Sequence, residues 1–159
     1  MTWIFGQKKS FLGHNPVGDV PLYLNYYSGC SHGCLYCYSF QFANRVAKKN
    51  TPQGIRRLTY KDWVSPILEP NWKNSEKELK VRRMKGEVFL QSTSDSYAPH
   101  ADPKVTRKVL ELLEKYDYPI LALTKNANVL RDVDFFKRYR GNCRVGFTIT
   151  IPEKHESLR

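Results

Sequence analysis

Pro103-Lys-Val-Thr-Arg-Lys-Val-Leu-Glu-Leu-Leu-Glu-Lys-Tyr-Asp-Tyr-Pro-Ile-Leu-Ala-Leu-Thr124 carries two hydrophobic periods back to back. In its first part Val105, Val109, Leu112, Leu113 and Tyr116 recur as the stripe of an amphipathic helix. Pro103 sits where a first helical turn tolerates it. In its second part Pro119-Ile-Leu-Ala-Leu-Thr124 is an unbroken apolar run, the pattern of a strand buried on both faces. An amphipathic helix leading into a buried strand is the repeating unit of a parallel α/β sheet.

The same alternation extends outward. Val20-Pro-Leu-Tyr-Leu-Asn-Tyr-Tyr27 is rich in β-formers and ends in Ser-Gly, so it reads as a first strand followed by a loop. From Tyr38 the pattern turns helical, with Phe42 and Val46 four apart, until Asn50-Thr-Pro52 stops it. Residues 51–72 read as loop, with one short helix near Asp62. Ser75-Glu-Lys-Glu78 matches a capping box that opens a helix to about Lys85, and Gly86 breaks it. Glu87-Val-Phe-Leu-Gln91 is a second strand, ending in Ser92-Thr-Ser-Asp95. Beyond the third strand, Val129, Val133 and Phe136 mark a helix that Gly141 terminates. Cys143 to Ile151 is a fourth strand, and a last helix starts after Pro152.

The order is therefore β-α-β-α-β-α-β-α, which predicts an α/β fold with a parallel sheet. Residues 1–19, with Gly6, Gly13, Pro16 and Gly18, read as an irregular extension before a domain over 20–159. The chain of 159 residues suits one domain with a real core, and is short of the roughly 200 or more that a complete barrel takes. In parallel α/β folds sites gather at the carboxyl ends of strands. Those ends read Ser28-Gly-Cys30, Ser92-Thr-Ser-Asp95, Thr124-Lys-Asn126 and Thr148-Ile-Thr150, all polar.

Hydrophobic content of 41% and aromatic content of 13% are those of a globular chain. The formal net charge is +11. It is uneven: no Asp or Glu lies between Asp19 and Asp62, and a second basic stretch runs from Lys73 to Lys85. Such a surface suits a polyanion such as nucleic acid, and equally suits a solvated face around an anionic cluster. No window reaches the ~18 apolar residues of a membrane-spanning helix. The start of the chain lacks a secretion signal, so clustered cysteines point to thiols in a reducing cytoplasm.

Cys30, Cys34 and Cys37 stand in C-x3-C-x2-C spacing on the loop after the first strand. Zinc and ordinary iron–sulfur sites take four protein ligands. Three thiolates leave one metal position open for a small molecule, such as one bearing an amine and a carboxylate. Gly29 and Gly33 let the backbone turn tightly around a cluster. The competing reading is a zinc site of three cysteines and one histidine, with His14, His100 or His155 as fourth ligand. His32 reads as a hydrogen-bonding loop residue, and Asp95 and Tyr97 equally as caps of the next helix or as site residues at the strand end. Cys143 reads as a small core hydrophobe, and Trp3, Trp63 and Trp72 as packing residues.

Asn25-Tyr-Tyr-Ser-Gly-Cys-Ser-His-Gly-Cys-Leu-Tyr-Cys-Tyr38 resembles the cluster loop of radical S-adenosylmethionine enzymes, in their spore photoproduct lyase-like branch. Ser94-Asp-Ser-Tyr-Ala-Pro99, Thr106-Arg-Lys-Val-Leu-Glu111, Leu123-Thr-Lys125 and Leu130-Arg-Asp132 are similar to further patches of that branch. The resemblance runs from about Asn25 to Thr150.

It implies a parallel partial (β/α) barrel, of which this chain supplies about four units where a six-unit core is usual. It also implies a [4Fe–4S] cluster on Cys30, Cys34 and Cys37, with S-adenosylmethionine on the open iron. Reductive cleavage of that cofactor would yield a 5′-deoxyadenosyl radical for hydrogen abstraction. Tyr36 and Tyr38 would pack beside the cofactor, with Tyr38 a catalytic participant in radical transfer. Ser94 would meet the cofactor's amino group, Lys125 its carboxylate, and Thr148 or Thr150 its ribose. A flavodoxin or ferredoxin would supply the electron, and the open sheet edge would invite a homo-oligomer. One departure matters: the namesake lyase uses a cysteine as hydrogen donor where this chain has Ser92. The alternative without catalysis is an iron–sulfur binding or assembly module.

Overall fold

A computed structural model describes residues 12–14, 20–27, 29–34, 36–41, 72–81 and 86–149. Five strands form one sheet: β1 (Gly13–His14), β2 (Leu22–Leu24), β3 (Val88–Leu90), β4 (Ile120–Thr124) and β5 (Cys143–Phe147). The helices are α1 (Trp72–Val81), α2 (Pro103–Lys115) and α3 (Val133–Arg138), the last preceded by a 3-10 helix over Ala127–Asp132. The sheet order is β1-β2-β3-β4-β5. β2 to β5 pair in parallel, and β1 pairs antiparallel to β2.

The register sets which residues share a face. Leu22, Val88 and Ile120 stand abreast, followed two residues on by Leu24, Leu90 and Ala122. All six are buried, and they join Leu79 of α1, Val109, Leu110 and Leu113 of α2 and Phe135 of α3 in one core. The helices therefore cover this face. Tyr23, Phe89 and Leu121 stand abreast on the opposite face and are half-buried. Consecutive strands are neighbours, so right-handed crossovers leave every helix on one side. A doubly wound sheet instead reverses its strand order and has helices on both faces. The four-stranded parallel sheet is thus compatible with a partial β/α barrel.

Several sequence expectations need correction. The segment before Val20 is not wholly irregular, because Gly13–His14 pairs with Tyr23 and Leu22. Gly13 is needed there: a Cβ would stand 2.2 Å from the Tyr23 ring. The helix expected from Ser75 begins at Trp72. Ser75 is buried in its first turns, donating its hydroxyl to the Trp72 carbonyl at 2.8 Å rather than capping. The carboxylate of Glu78 accepts from the Leu12 N–H at 3.0 Å. In the segment after β4 the buried residues are Val129, Asp132 and Phe135, whereas Val133 is 39% exposed. A 3-10 turn has three residues per turn, so it shifts the inward face away from the four-residue spacing.

Burial on both faces also fails for the strands. The half-buried second face has no covering layer among the described residues. At β5 the helix-side face is open as well: Val145 and Phe147, abreast of Ala122 and Thr124, are 39% and 54% exposed, and Ile149 beyond them is 83% exposed. Among the described residues β5 pairs only with β4. The expectations at Phe42, Val46, Asn50 to Pro52, Asp62, Lys85, Thr150 and after Pro152 lie outside the described residues, as do the basic residues from Arg45 to Lys61 and residues 82–85 of the second basic stretch.

Side-chain hydroxyls lock the helix layer. Tyr118 donates to the Leu79 carbonyl at 3.1 Å, and Tyr139 donates to the Tyr118 carbonyl at 2.7 Å. Asp102 caps α2, its carboxylate accepting from the Lys104 N–H at 2.8 Å. Cys143 is half-buried against the core, and burial pushes its thiol up to about 11, with the Glu87 charge adding.

Leu110→Ala should cost about 2–5 kcal/mol in chemical denaturation, because it opens a cavity between α2 and the sheet. Ile149→Ser on the uncovered strand end should stay within about 0.5 kcal/mol.

Candidate functional site

The carboxyl ends of β2, β3 and β4 deliver three loops to one place. β2 runs into the cysteine loop. Gly29 and Gly33 adopt φ of 101° and 74°, the left-handed region that glycine reaches without strain. β3 runs into residues 91–100 through Gln91, itself at φ 59°. That conformation is held from two sides. The Gln91 N–H donates to the Leu24 carbonyl at 3.0 Å. Its carboxamide, turned with the oxygen toward the chain, accepts from the Tyr27 and Tyr26 N–H groups at 2.6 and 3.1 Å. Tyr26 in turn donates to Ser96 Oγ at 2.9 Å, and Tyr27 to the Asp102 carbonyl at 3.1 Å.

Asp95 is the hub. It is 5% exposed, and its Oδ2 accepts from His32 Nε2 at 2.7 Å, Thr124 Oγ1 at 2.9 Å and the Lys125 N–H at 3.1 Å. Its Oδ1 accepts from the Tyr97 N–H at 2.8 Å. Burial by itself would raise the carboxyl, but the bonds from His32, Tyr97, Lys125 and Thr124 outweigh it and hold it below the usual carboxylate range. Asp95 is therefore not a helix cap; it ties the cysteine loop to the ends of β3 and β4. Beside it, Ser31 donates its N–H to His100 Nδ1 at 3.3 Å, and its hydroxyl lies 2.7 Å from the same atom. Burial, with the His32 charge adding, lowers His100.

The three loop cysteines are half-buried, and all four cysteines of the chain are free thiols. Burial pushes the Cys30 thiol up to about 11; a hydrogen bond from the His32 backbone N–H opposes this, while the charges of Asp95, Cys34 and Cys37 add to it. The Phe40 N–H lies 3.4 Å from Cys37 Sγ. The Cys37 N–H donates to the Cys34 carbonyl at 3.1 Å, and residues 38–41 begin a helix. Among the described residues no three His, Cys, Asp or Glu side chains are gathered as tightly as around a bound metal ion. The donor chemistry nonetheless suits a thiophilic metal: three free thiols on one loop, with a backbone N–H on the Cys37 sulfur.

The other expected site residues divide. Ser94 reaches the cysteine loop, donating to the Gly29 carbonyl, and Tyr38 donates to the Ser92 carbonyl. Ser92 Oγ is shared with the Asn25 carboxamide, 3.0 Å from its nitrogen and 3.1 Å from its oxygen. Tyr36 and Tyr38 are 58% and 65% exposed. Lys125 contributes its backbone to the hub, while its side chain is exposed. Thr148 is exposed beside β4, its N–H on the Thr124 carbonyl at 2.8 Å, and Thr150 lies outside the described residues. His32 and His100 each turn one ring nitrogen to Asp95 and Ser31, and the other ring nitrogen of His100, Nε2, is buried with no hydrogen-bond partner. Sequence reasoning misses the Asp95 hub, the Gln91 turn and the Ser31–His100 contact. Asp95 alone leaves a signal, an acidic residue at a strand end.

The chain matches no family model, and no solved structure matches it. Two curated proteins are similar to it. An uncharacterized protein of Methanocaldococcus jannaschii is 32% identical over 127 residues, covering 79% of this chain and 43% of that protein. An uncharacterized protein of Acidianus two-tailed virus is 29% identical over 138 residues, covering 85% of this chain and 44% of that protein. The chain thus spans less than half the length of the curated relatives it matches.

Because Asp95 is depressed in the folded state, its contribution to stability is present above the ordinary aspartate range and lost as pH falls through the folded value. An acid titration of unfolding free energy should show this loss, and Asp95→Asn should flatten that limb while being less stable at neutral pH.

Proposed function

We propose that this chain forms the core of a radical S-adenosylmethionine enzyme of the spore photoproduct lyase-like kind, with a parallel partial (β/α) barrel. The carrying observation is the C-x3-C-x2-C loop of free thiols at the end of the first parallel strand, set in a wider run resembling that branch. Cys30, Cys34 and Cys37 would hold a [4Fe–4S] cluster. When bound, the cluster and S-adenosylmethionine supply reductive sulfonium cleavage and a 5′-deoxyadenosyl radical that abstracts hydrogen from substrate.

The chain's own residues bind and orient. The Phe40 N–H donates to the Cys37 sulfur at 3.4 Å. Such donors stabilise added negative charge on sulfur. The exposed Lys125 ammonium, rising from the end of β4, suits a carboxylate. Ser94 and Thr148 offer hydroxyls suited to an amine and a ribose. Tyr38 is largely exposed, with its hydroxyl held on the Ser92 carbonyl, where a phenol can exchange a hydrogen atom with a bound reactant. Ser92 is an alcohol whose O–H is too strong to replace a thiol as hydrogen donor, so thymine-dimer repair by a thiol at this position is not proposed.

The substrate class we favour is nucleic acid, because of the +11 net charge. The electron would come from a flavodoxin or ferredoxin, in the reducing cytoplasm that free thiols favour. The edge of β5, which among the described residues pairs only with β4, would pair with a second copy. A second reading is an iron–sulfur binding or assembly module without catalysis, for which the loop of free thiols suffices.

Anaerobically reconstituted protein should hold about four irons per chain and release 5′-deoxyadenosine with dithionite and S-adenosylmethionine. Cys34→Ala should lose the cluster. Iron without deoxyadenosine selects the module; stoichiometric zinc without iron sinks both.

A further inference from the structure

Three arginines of the helix layer meet around one buried carboxylate and two aromatic rings. Arg107 of α2 places Nη2 2.6 Å from Asp132 Oδ1, and Arg131 places Nε 3.8 Å from Asp132 Oδ2. The Arg107 guanidinium carbon lies 4.9 Å from the centre of the Phe135 ring, and that of Arg138 lies 5.2 Å from the same centre. Arg131 lies 5.2 Å from the centre of the Tyr97 ring. Cation–π pairs occur about once per 70–80 residues, so three of them on two rings mark a built cluster rather than a loose solvated face. Stacking fixes the plane of a guanidinium and leaves N–H groups at its edge for an acceptor, an edge that matches a phosphate. Much of the side-chain entropy is then lost before any ligand arrives. The charges do not balance: among the described residues Asp132 is the one carboxylate paired with any of the three. Glu111 and Asp134 are exposed on the same elements without pairing to them. The cluster also adjoins the site, because Tyr97, which carries Arg131 on its ring, donates its N–H to Asp95 at 2.8 Å.

We propose that Arg107, Arg131 and Arg138 form a phosphate-binding surface that holds the backbone of a nucleic acid beside the site at the strand ends. The inference rests on the nucleic-acid substrate reading and gives it a place on the fold. The field of a chain at +11 draws the polyanion in, and the stacked guanidiniums set where it lies. Arg138 has no carboxylate partner among the described residues, and Arg131 has only the 3.8 Å contact, so these two meet the phosphates. Arg107 is committed to Asp132 and holds the cluster together.

The test is fluorescence anisotropy of the metal-free, reduced chain with a labelled DNA of about 20 nucleotides, single-stranded and as a duplex, over a salt titration. Arg107→Ala would strand the buried Asp132 carboxylate, so the variants leave it in place. Arg131→Ala/Arg138→Ala should bind more than about tenfold more weakly near ~0.1 M salt. Its plot of log affinity against log salt should be shallower by about 0.7 per lost contact for the strand and about 0.9 for the duplex. Arg131→Lys/Arg138→Lys, which keeps the charge but not the planar fork, should recover the slope and only part of the affinity. Wild type that binds neither probe overturns the proposal, as does an alanine pair that binds like wild type. An equal loss in Lys77→Ala/Lys80→Ala, which removes the same charge from exposed positions on α1, overturns it in favour of net charge alone. Vesicles of phosphatidylserine and phosphatidylcholine that bind wild type but not the alanine pair, with DNA binding unchanged, assign the surface to a membrane and overturn it as well. The measurement needs no metal. DNA binding lost in the alanine pair, in a chain that makes no 5′-deoxyadenosine, defeats the radical reading alone; 5′-deoxyadenosine from a chain whose alanine pair binds DNA unchanged defeats this surface alone.

Discussion

A carboxylate buried at the ends of three strands is the constraint on which the site depends. Burying an ionised Asp95 is costly unless its oxygens are fully hydrogen-bonded. The structure meets that requirement with donors from three separate stretches of chain: the cysteine loop, the segment after β3 and the end of β4. The requirement works in both directions. Each stretch holds the carboxylate, and the carboxylate holds each stretch to the others. A loop containing two positive-φ glycines is thereby fixed to the carboxyl ends of β3 and β4.

That arrangement depends on how the sheet is wound. Strand order follows chain order, so each carboxyl end lies next to the one before it and the loops they deliver are neighbours. The helix layer on one face contributes nothing chemical, but it sets the strand ends in place. Leu110 and Leu113 of α2 pack on the sheet, and the Tyr118 and Tyr139 hydroxyls tie α1 and α3 to the chain entering β4. The opposite face, with Tyr23, Phe89 and Leu121, is less covered, and it is the side from which a barrel lumen would form.

Long, strongly periodic elements are legible from the hydrophobic pattern alone. The stripe from Val105 to Tyr116 and the run after Pro119 announce a helix and a strand, and both are found as α2 and β4. Short elements are less so. The Ser75 capping box fails because a serine hydroxyl bonds a carbonyl within a helix as readily as an N–H at its start. The expected helix is found, with Val129 buried and Phe136 packed against the core, but Val133 turns outward because the preceding 3-10 turn changes the phase. Gly13–His14 escapes notice because two residues carry no period, and only the ring of Tyr23 across Gly13 shows why a glycine belongs there.

By itself the sequence determined the α/β order, the spacing of Cys30, Cys34 and Cys37 and the placing of polar residues after each strand. These are local properties, set by periodicity and by neighbours within a few residues. Only the tertiary structure decided that Asp95 is a hub rather than a cap, that His32 is tethered to it and that Ser31 meets His100. Those partners lie 63 and 69 residues apart in the chain, and no local pattern encodes a contact that exists only when parallel strands bring their ends together.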